Sequence, residues 1–73
     1  MSRITKTTLQ NRIDNINRLF AAHGKNTRFE WGHANGFHHV KEFVNGEYRC
    51  NRCVGTAREV NDWLSGVLYG LTA

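Results

Sequence analysis

Residues 35–46 of the sequence read NGFHHVKEFVNG, and this stretch, bracketed by two Asn-Gly pairs, decides the fold. An Asn-Gly pair between aromatic and β-branched residues favours a two-residue hairpin turn, because both turn positions need a left-handed backbone. The eight residues between the two turns are therefore shared by two hairpins. We predict a three-stranded antiparallel meander, with strands over about residues 28–33, 37–44 and 47–54.

An amphipathic helix is predicted before the meander, over about residues 7–23. Its apolar stripe repeats at helical spacing and consists of Leu9, Ile13, Ile16 and Phe20. Thr7 followed by Gln10 fits a capping box, and Thr5 is an alternative cap for an earlier start. Gly24 is the predicted end of the helix, because glycine readily adopts the left-handed conformation that terminates helices.

A second amphipathic helix is predicted after the meander, over about residues 57–71. Thr56 and Glu59 have capping-box spacing directly after Gly55. The apolar face behind them is wide and consists of Val60, Trp63, Leu64, Val67, Leu68 and Leu71. The predicted fold class is therefore α+β, an αβββα order in which both helices pack on one face of the sheet.

The two turns also set the register of the strands, if each loop has two residues. The predicted cross-strand pairs are Glu30–Lys41, Trp31–Val40, His33–His38, Glu42–Arg49, Phe43–Tyr48 and His38–Cys53. Alternation then gives a first face with Phe29, Trp31, His33, His38, Val40, Glu42, Val44, Glu47, Arg49, Asn51 and Cys53. The second face carries Arg28, Glu30, Phe37, His39, Lys41, Phe43, Tyr48, Cys50 and Arg52. We expect the first face to form the core, because fewer cations would need desolvation there.

The size and composition of the chain limit what it can do. Its 73 residues, 40% hydrophobic and 22% charged, indicate one small globular domain over residues 1–73 and exclude most enzyme folds. We find no run of about 20 apolar residues for a membrane span, and no apolar segment near Met1 that fits a signal peptide. Two cysteines are too few for a disulfide scaffold, so we expect a cytoplasmic protein. The net charge of +4 permits an acidic partner without identifying one.

Cys50 and Cys53 form a CxxC motif, and His33, His38 and His39 lie nearby in the predicted sheet. One such motif with scattered histidines is a weak signal for zinc. In a regular strand, residues three apart are about 10 Å distant and point to opposite faces. The two cysteines are therefore expected neither to share a metal nor to form a disulfide. The row of His33, His38 and Cys53 is an alternative zinc site, but we predict reduced cysteines and no cofactor.

The same histidines and cysteines raise the question of a nucleophile and its base. No orienting carboxylate is evident, because Asp14 and Asp62 lie on the predicted helices without pointing at the histidines. The sequence also has no serine-centred elbow, phosphate-binding glycine loop or HExxH motif. We therefore predict that the protein is not an enzyme.

One predicted surface combines aromatic rings with cations. The candidate binding residues are Arg28, Phe37, His39, Lys41, Phe43, Tyr48 and Arg52 on the second face, with Arg58 on the second helix. Rings on an open sheet can stack bases while cations hold phosphates, as in single-strand binders. The alternative interpretation is that the aromatic residues belong to the core and the cations to a solvated rim.

The whole-chain pattern resembles a family of short bacteriophage and prophage proteins. Residues 7–13 and 17–19 are similar to the opening helix of that family, which runs into a leucine-asparagine-arginine segment. Residues 55–59 and 64–71 resemble its closing helix, "G-T-x-R-E … L-x-G-x-x-x-G-L". The middle differs, since it has no tyrosine-glycine-glycine turn and carries an additional cysteine pair. The resemblance implies an αβββα accessory protein in the cytoplasm of a bacterial host, and it implies no activity.

The topology also resembles double-stranded-RNA-binding domains. Residues 32–34 fall in the first turn region and residues 44–47 in the second, as in such domains. The paired lysines that open their second helix and contact phosphates are replaced here by residues 56–59, which read TARE. This resemblance therefore concerns topology and not function.

Three functional hypotheses follow. The first is a non-enzymatic phage-type accessory protein that binds a host macromolecule, such as an anti-CRISPR-like inhibitor of a host defence or regulatory complex. The second is a nucleic-acid-binding module that uses the basic and aromatic face, and a membrane partner is not expected. The third is a homodimer formed through an uncovered sheet face or an outer strand.

Overall fold

The elements of the computed structural model, which describes residues 4–72, follow the predicted αβββα order. They are α1 (Lys6–Ala22), β1 (Thr27–Ala34), β2 (Phe37–Val44), β3 (Glu47–Gly55) and α2 (Ala57–Thr72). The three strands form one antiparallel sheet in the order β1-β2-β3. The α+β fold class is therefore confirmed, and each element lies within two residues of its predicted bounds. Within residues 4–72, no helix is long and apolar enough to cross a membrane.

Both hairpin turns have the left-handed backbone that their Asn-Gly pairs predict. The φ angles are 54° at Asn35, 79° at Gly36, 55° at Asn45 and 81° at Gly46. Positive φ at both central residues defines the type I′ turn, whose twist matches that of the flanking strands. The two turns therefore hold β2 between its neighbours.

The helix ends are set by caps, of which one differs from its prediction. Thr5 is the N-cap of α1, and its Oγ1 accepts a hydrogen bond from the Thr8 backbone N–H at 3.2 Å. The predicted capping box of Thr7 and Gln10 is wrong, because both residues lie inside the helix. Gly24 ends α1 with a φ of +73°, as predicted.

The capping box of α2 is confirmed in both directions. The Thr56 N–H donates to Glu59 Oε1 at 3.0 Å, and the Glu59 N–H donates to Thr56 Oγ1 at 3.2 Å. These bonds satisfy two backbone donors at the start of the helix. They also hold the pKa of the Glu59 carboxyl below its ordinary value, because a carboxylate accepts the Thr56 N–H.

The core lies between the two helices and one face of the sheet. Its buried side chains are Leu9, Ile13, Ile16, Phe20, Phe29, Val40, Val60 and Leu64. Helix α1 packs on β1 and on α2, and α2 packs on β2 and β3. Phe29 and Val40 belong to the predicted first face, and Trp31 and Cys53 of that face pack against the core. The first face is thus the core side, which we call the helix side.

The register between β1 and β2 is the predicted one. Glu30 lies opposite Lys41, Trp31 opposite Val40, and His33 opposite His38. The pair of Phe43 and Tyr48 between β2 and β3 is also confirmed, with ring centroids 5.8 Å apart.

The rest of the β2–β3 register is wrong in the prediction because β3 contains two bulges. One register shift lies between Glu42 and Phe43, where Arg49 is the extra residue, and one between Val40 and Lys41, where Arg52 is extra. Glu42 therefore pairs with Cys50 and not with Arg49. Each bulge adds one residue to β3 without a partner on β2, and the regular alternation of side chains is lost there.

The bulges also move residues between the two sides of the sheet. Cys50 pairs with Glu42 and so joins the helix side, whereas Asn51 pairs with Lys41 and joins the opposite side. Both placements reverse the prediction. Arg52, expected on the second face, reaches Glu42 instead, with 3.1 Å between Nε and Oε1.

Candidate binding surface on the open sheet

The side of the sheet that faces away from both helices is a candidate binding surface, which we call the open face. The register places on it Arg28, Glu30, Phe37, His39, Lys41, Phe43, Tyr48, Asn51 and Val54. Phe37, Tyr48 and Val54 are 50%, 54% and 53% exposed. Six of the predicted binding residues are therefore brought together on one surface.

Two aromatic rings of this surface form a pair at the end of the sheet near the second turn. The rings of Phe43 and Tyr48 meet edge to face, as expected for aromatic pairs. The guanidinium of Arg28 lies over the Phe43 ring, 5.1 Å from its centroid. Its Nη2 also lies 2.7 Å from Glu30 Oε2, so the charge of Arg28 is paired within the face.

Lys41 is the cation of the open face that has no carboxylate within ion-pair distance among residues 4–72. Its partner in the register is Glu30, but that carboxylate binds Arg28. The Lys41 side chain extends across Gly32 of the neighbouring strand. A Cβ on Gly32 would lie 3.5 Å from Lys41 Cε and 3.7 Å from Nζ, so the glycine leaves room for the ammonium group.

His39 is half-buried on the open face, opposite Gly32 on one side and Val54 on the other. Both of its ring nitrogens are shielded from solvent, and neither has a hydrogen-bond partner among residues 4–72. Val54 has no charge or aromatic ring to mark it in the sequence. The signal in the sequence that indicates its place is its spacing from Tyr48, because residues an even number apart in a strand lie on the same face.

Two predicted cations lie away from this surface. Arg52 pairs with Glu42 on the helix side, so its place in the predicted binding face is wrong. Arg58 is exposed on α2, which packs on the other side of the sheet. Of the predicted cations, Lys41 and Arg28 are therefore the two that lie on the open face.

The CxxC motif has a different geometry from its prediction. Cys50 and Cys53 pair with Glu42 and Val40, which are two residues apart on β2, so both cysteines share the helix side. The expectation that they point to opposite faces is wrong, because the bulge at Arg52 changes the alternation. Both are free thiols. Burial, and then the nearby Glu59 carboxylate, raise the pKa of the Cys53 thiol.

The predicted row of His33, His38 and Cys53 does not form. Gly55 lies opposite His38, and Cys53 lies opposite Val40. Within residues 4–72, no group of three or more histidine, cysteine, aspartate or glutamate side chains is placed to hold a metal ion. The zinc alternative therefore has no support in the geometry.

His33 and His38 instead form a small aromatic cluster with Trp31. The two imidazole centroids are 4.7 Å apart, and Trp31 Nε1–H donates to His38 Nδ1 at 3.0 Å. Burial is the main cause that lowers the pKa of His38, and the neighbouring His33 and His39 lower it further. The Lys6 ammonium also lies over the Trp31 ring, 5.0 Å from its centroid.

A shallow cleft also opens beside the second turn. Asn17, Ala21, Lys25, Arg28 and Asn45 line part of it. The C-terminal end of α1 lies at this cleft, and the carbonyl groups there disfavour an anionic ligand. The open face is therefore the stronger candidate.

No family model matches the chain, and comparisons with curated proteins and with solved structures give no match either. The resemblances to phage proteins and to double-stranded-RNA-binding domains thus stay predictions.

Proposed function

We propose that the protein is a small, non-enzymatic accessory protein of the phage type, which binds a host protein through its open face. The observation that carries the proposal is the exposure of Phe37, Tyr48 and Val54 on one uncovered side of the sheet. Phe37 and Val54 lie toward the first turn and Tyr48 lies toward the second, so exposed apolar side chains occupy both ends of this face. An uncovered sheet face with exposed apolar side chains is typical of an interaction site. The proposed place of action is the cytoplasm of a bacterial host.

The charges of the open face favour a protein partner over a nucleic acid. Of the three sheet cations that were predicted to bind, Arg28 is paired with Glu30 and Arg52 with Glu42. Only Lys41 of these three has no ion pair. Protein interfaces have an aromatic and apolar centre with few charges, surrounded by a polar rim.

A binding protein of this size inhibits by covering a surface that its target needs. We therefore extend the proposal to inhibition of a host defence or regulatory complex, in the manner of anti-CRISPR proteins. Phe37 and Tyr48 are the side chains expected to contribute most, because aromatic residues dominate interface energetics.

A pair of variants tests the use of the open face. Phe37→Ser combined with Val54→Ser removes two exposed apolar side chains, whereas Tyr69→Ser removes a ring that is 77% exposed on α2. Each immobilised variant is incubated with bacterial lysate, captured proteins are quantified, and the interaction is rebuilt with the purified partner. We expect the double variant to lose the partner and Tyr69→Ser to retain it. Equal capture of the partner by the double variant and the wild type would show that the open face does not bind it.

Nucleic-acid binding is the second candidate, because Arg28 and Lys41 flank the paired rings of Phe43 and Tyr48. Stacking platforms beside cations are typical of single-strand binders. The test is fluorescence anisotropy with labelled duplex DNA, duplex RNA and single strands across a salt series. Micromolar binding at about 150 mM salt that is lost in Lys41→Glu would favour this candidate. Weak binding that disappears with modest salt would leave the protein partner as the better proposal.

A further inference from the structure

Strand β1 has one side of its backbone without a neighbouring strand, because it is an outer strand of the sheet. In an antiparallel pair, alternate residues direct their N–H and C=O groups away from the partner strand. Phe29 is one of these residues, because both its N–H and its carbonyl oxygen bond the Asn17 side chain. By alternation, Trp31 and His33 also present their backbone groups on this side.

The edge beyond Phe29 is regular and open. No hydrogen bond from residues 4–72 reaches the backbone of Trp31 or His33 on this side. The pairing of β1 with β2 continues to Ala34 without a register shift. The other outer strand, β3, is interrupted by its two bulges, which protect an edge from pairing. The edge of β1 is therefore the one suited to receive another strand.

The charges around this edge are positive. The Lys41 ammonium lies over Gly32 on the open face, and the Lys6 ammonium lies over Trp31 on the helix side. Neither has a carboxylate within ion-pair distance among residues 4–72. Glu30, the acidic residue of β1, is already paired with Arg28. An added strand is thus favoured when it carries carboxylates.

The same charges oppose a second copy of the chain as the added strand. An antiparallel pair centred on Gly32 would bring the two Lys41 ammonium groups together, and like charges across strands destabilise the pairing. The second copy would also bring no free carboxylate to Lys41, because the Glu30 carboxylate of each copy is already paired with Arg28. A different, acidic chain fits better.

We propose that the edge of β1 at Trp31 and His33 binds an extended, acidic segment of a partner protein as a fourth strand of the sheet. Backbone hydrogen bonds to Trp31 and His33 hold the segment, and a carboxylate opposite Gly32 pairs with Lys41. Strand addition of this kind gives affinity through main-chain bonds and specificity through alternate side chains. The inference rests on the proposed function in that the partner is a protein, and it names the chemistry of the bound segment.

The test uses the full chain and a synthetic eight-residue peptide of alternating valine and glutamate. A matched peptide with lysine in place of glutamate is the control. Binding is followed by NMR, through the shifts and the hydrogen exchange of backbone amides. We expect the acidic peptide to slow exchange at Trp31 and His33, and we expect no such effect from the basic peptide. No binding of the acidic peptide at millimolar concentration, or equal binding of both peptides, overturns the inference.

Three variants show which groups hold the peptide. His33→Pro removes one outward N–H, and proline is tolerated on an outer strand whose N–H faces away from its neighbour. His33→Ala keeps that N–H and is its control. Lys41→Gln removes the ammonium charge that pairs with the peptide. This variant tests the inference even if His33→Pro fails to fold. We expect at least tenfold weaker binding in His33→Pro and Lys41→Gln, and less than twofold change in His33→Ala. Unchanged binding in Lys41→Gln overturns the inference.

The outcome can be separated from that of the proposed function. If the acidic peptide fails while Phe37→Ser with Val54→Ser still loses the host partner, the edge inference is wrong and the open face stands. If the peptide binds at Trp31 and His33 while the double variant captures the partner normally, the edge inference stands and the open-face proposal is wrong.

Discussion

The side-chain amide of Asn17 bonds both backbone groups of Phe29. Its Nδ2 donates to the Phe29 carbonyl oxygen at 2.9 Å, and its Oδ1 accepts from the Phe29 N–H at 2.8 Å. A side chain of α1 thus takes the place that a neighbouring strand would have beside β1. It occupies the outer edge of β1 at Phe29 and leaves the outward backbone groups of Trp31 and His33 without a hydrogen-bond partner among residues 4–72.

We expect Asn17→Ala to destabilise the protein by about 1–3 kcal/mol, because two partly buried backbone groups of Phe29 would lose their partner. Asn15→Ala is the matched control, since Asn15 is exposed on the same helix. Urea unfolding followed by tryptophan fluorescence gives the free energy of unfolding of each variant. Equal stabilities of the two variants would show that the Asn17 bonds contribute nothing.

Stability is expected to fall with pH below about 6.5, because of His38. The bond from Trp31 Nε1–H requires an unprotonated His38 Nδ1, and burial with the neighbouring histidines lowers the pKa of His38 from 6.5. Below pH 6.5, His38 is therefore protonated to a larger extent in the unfolded chain than in the folded protein. The favourable contribution of neutral His38 is present above that pH and is lost as the pH falls.

Thermal unfolding between about pH 5 and pH 8 measures this dependence. His38→Gln, which does not titrate, is expected to show a smaller decrease of the midpoint on acidification than the wild type. His23→Gln is the control, because His23 is exposed after α1. A His38→Gln profile parallel to that of the wild type would contradict the assignment.

The local patterns of the sequence predict the elements of this fold, because each pattern contains its own physical cause. Asn-Gly pairs require the type I′ turns, and the spacing of apolar residues determines which side of each helix is buried. The bulges at Arg49 and Arg52 could not be predicted, since both positions carry ordinary strand-edge residues and no glycine. Their effect is large, because each one changes which residues of β3 face the helices.

The open face was likewise predictable from the sequence in part. Its β1 and β2 members follow from simple alternation, which holds where the register has no shift. On β3, Tyr48 and Val54 keep the face that alternation gives, whereas the bulges bring in Asn51 and direct Arg52 to Glu42. The pairing of Glu30 with Arg28 and not with Lys41 is a choice between two nearby cations, which register alone does not decide.

We expect Thr56→Ala to lower the free energy of unfolding by about 0.5–2 kcal/mol, since the variant loses the N-cap bond to the Glu59 N–H. Thr7→Ala should be nearly neutral, because Thr7 is exposed inside α1. Urea unfolding compares the two. A larger effect at Thr7 than at Thr56 would contradict the observed caps.

The Cys53 thiol is expected to react slowly while the protein is folded. The thiolate is the nucleophile, and burial with the nearby Glu59 raises the pKa of Cys53, so little thiolate is present near neutral pH. In a Cys50→Ser variant, the rate of modification by a disulfide reagent therefore reports on Cys53 alone. We expect this rate to rise several-fold when the same variant is unfolded in urea. In the folded double variant Cys50→Ser with Glu59→Gln we expect a modest rise, because the Glu59 charge that disfavours the thiolate is removed. A folded rate equal to the unfolded one would place Cys53 at the surface, against its packing on the core beside Val40.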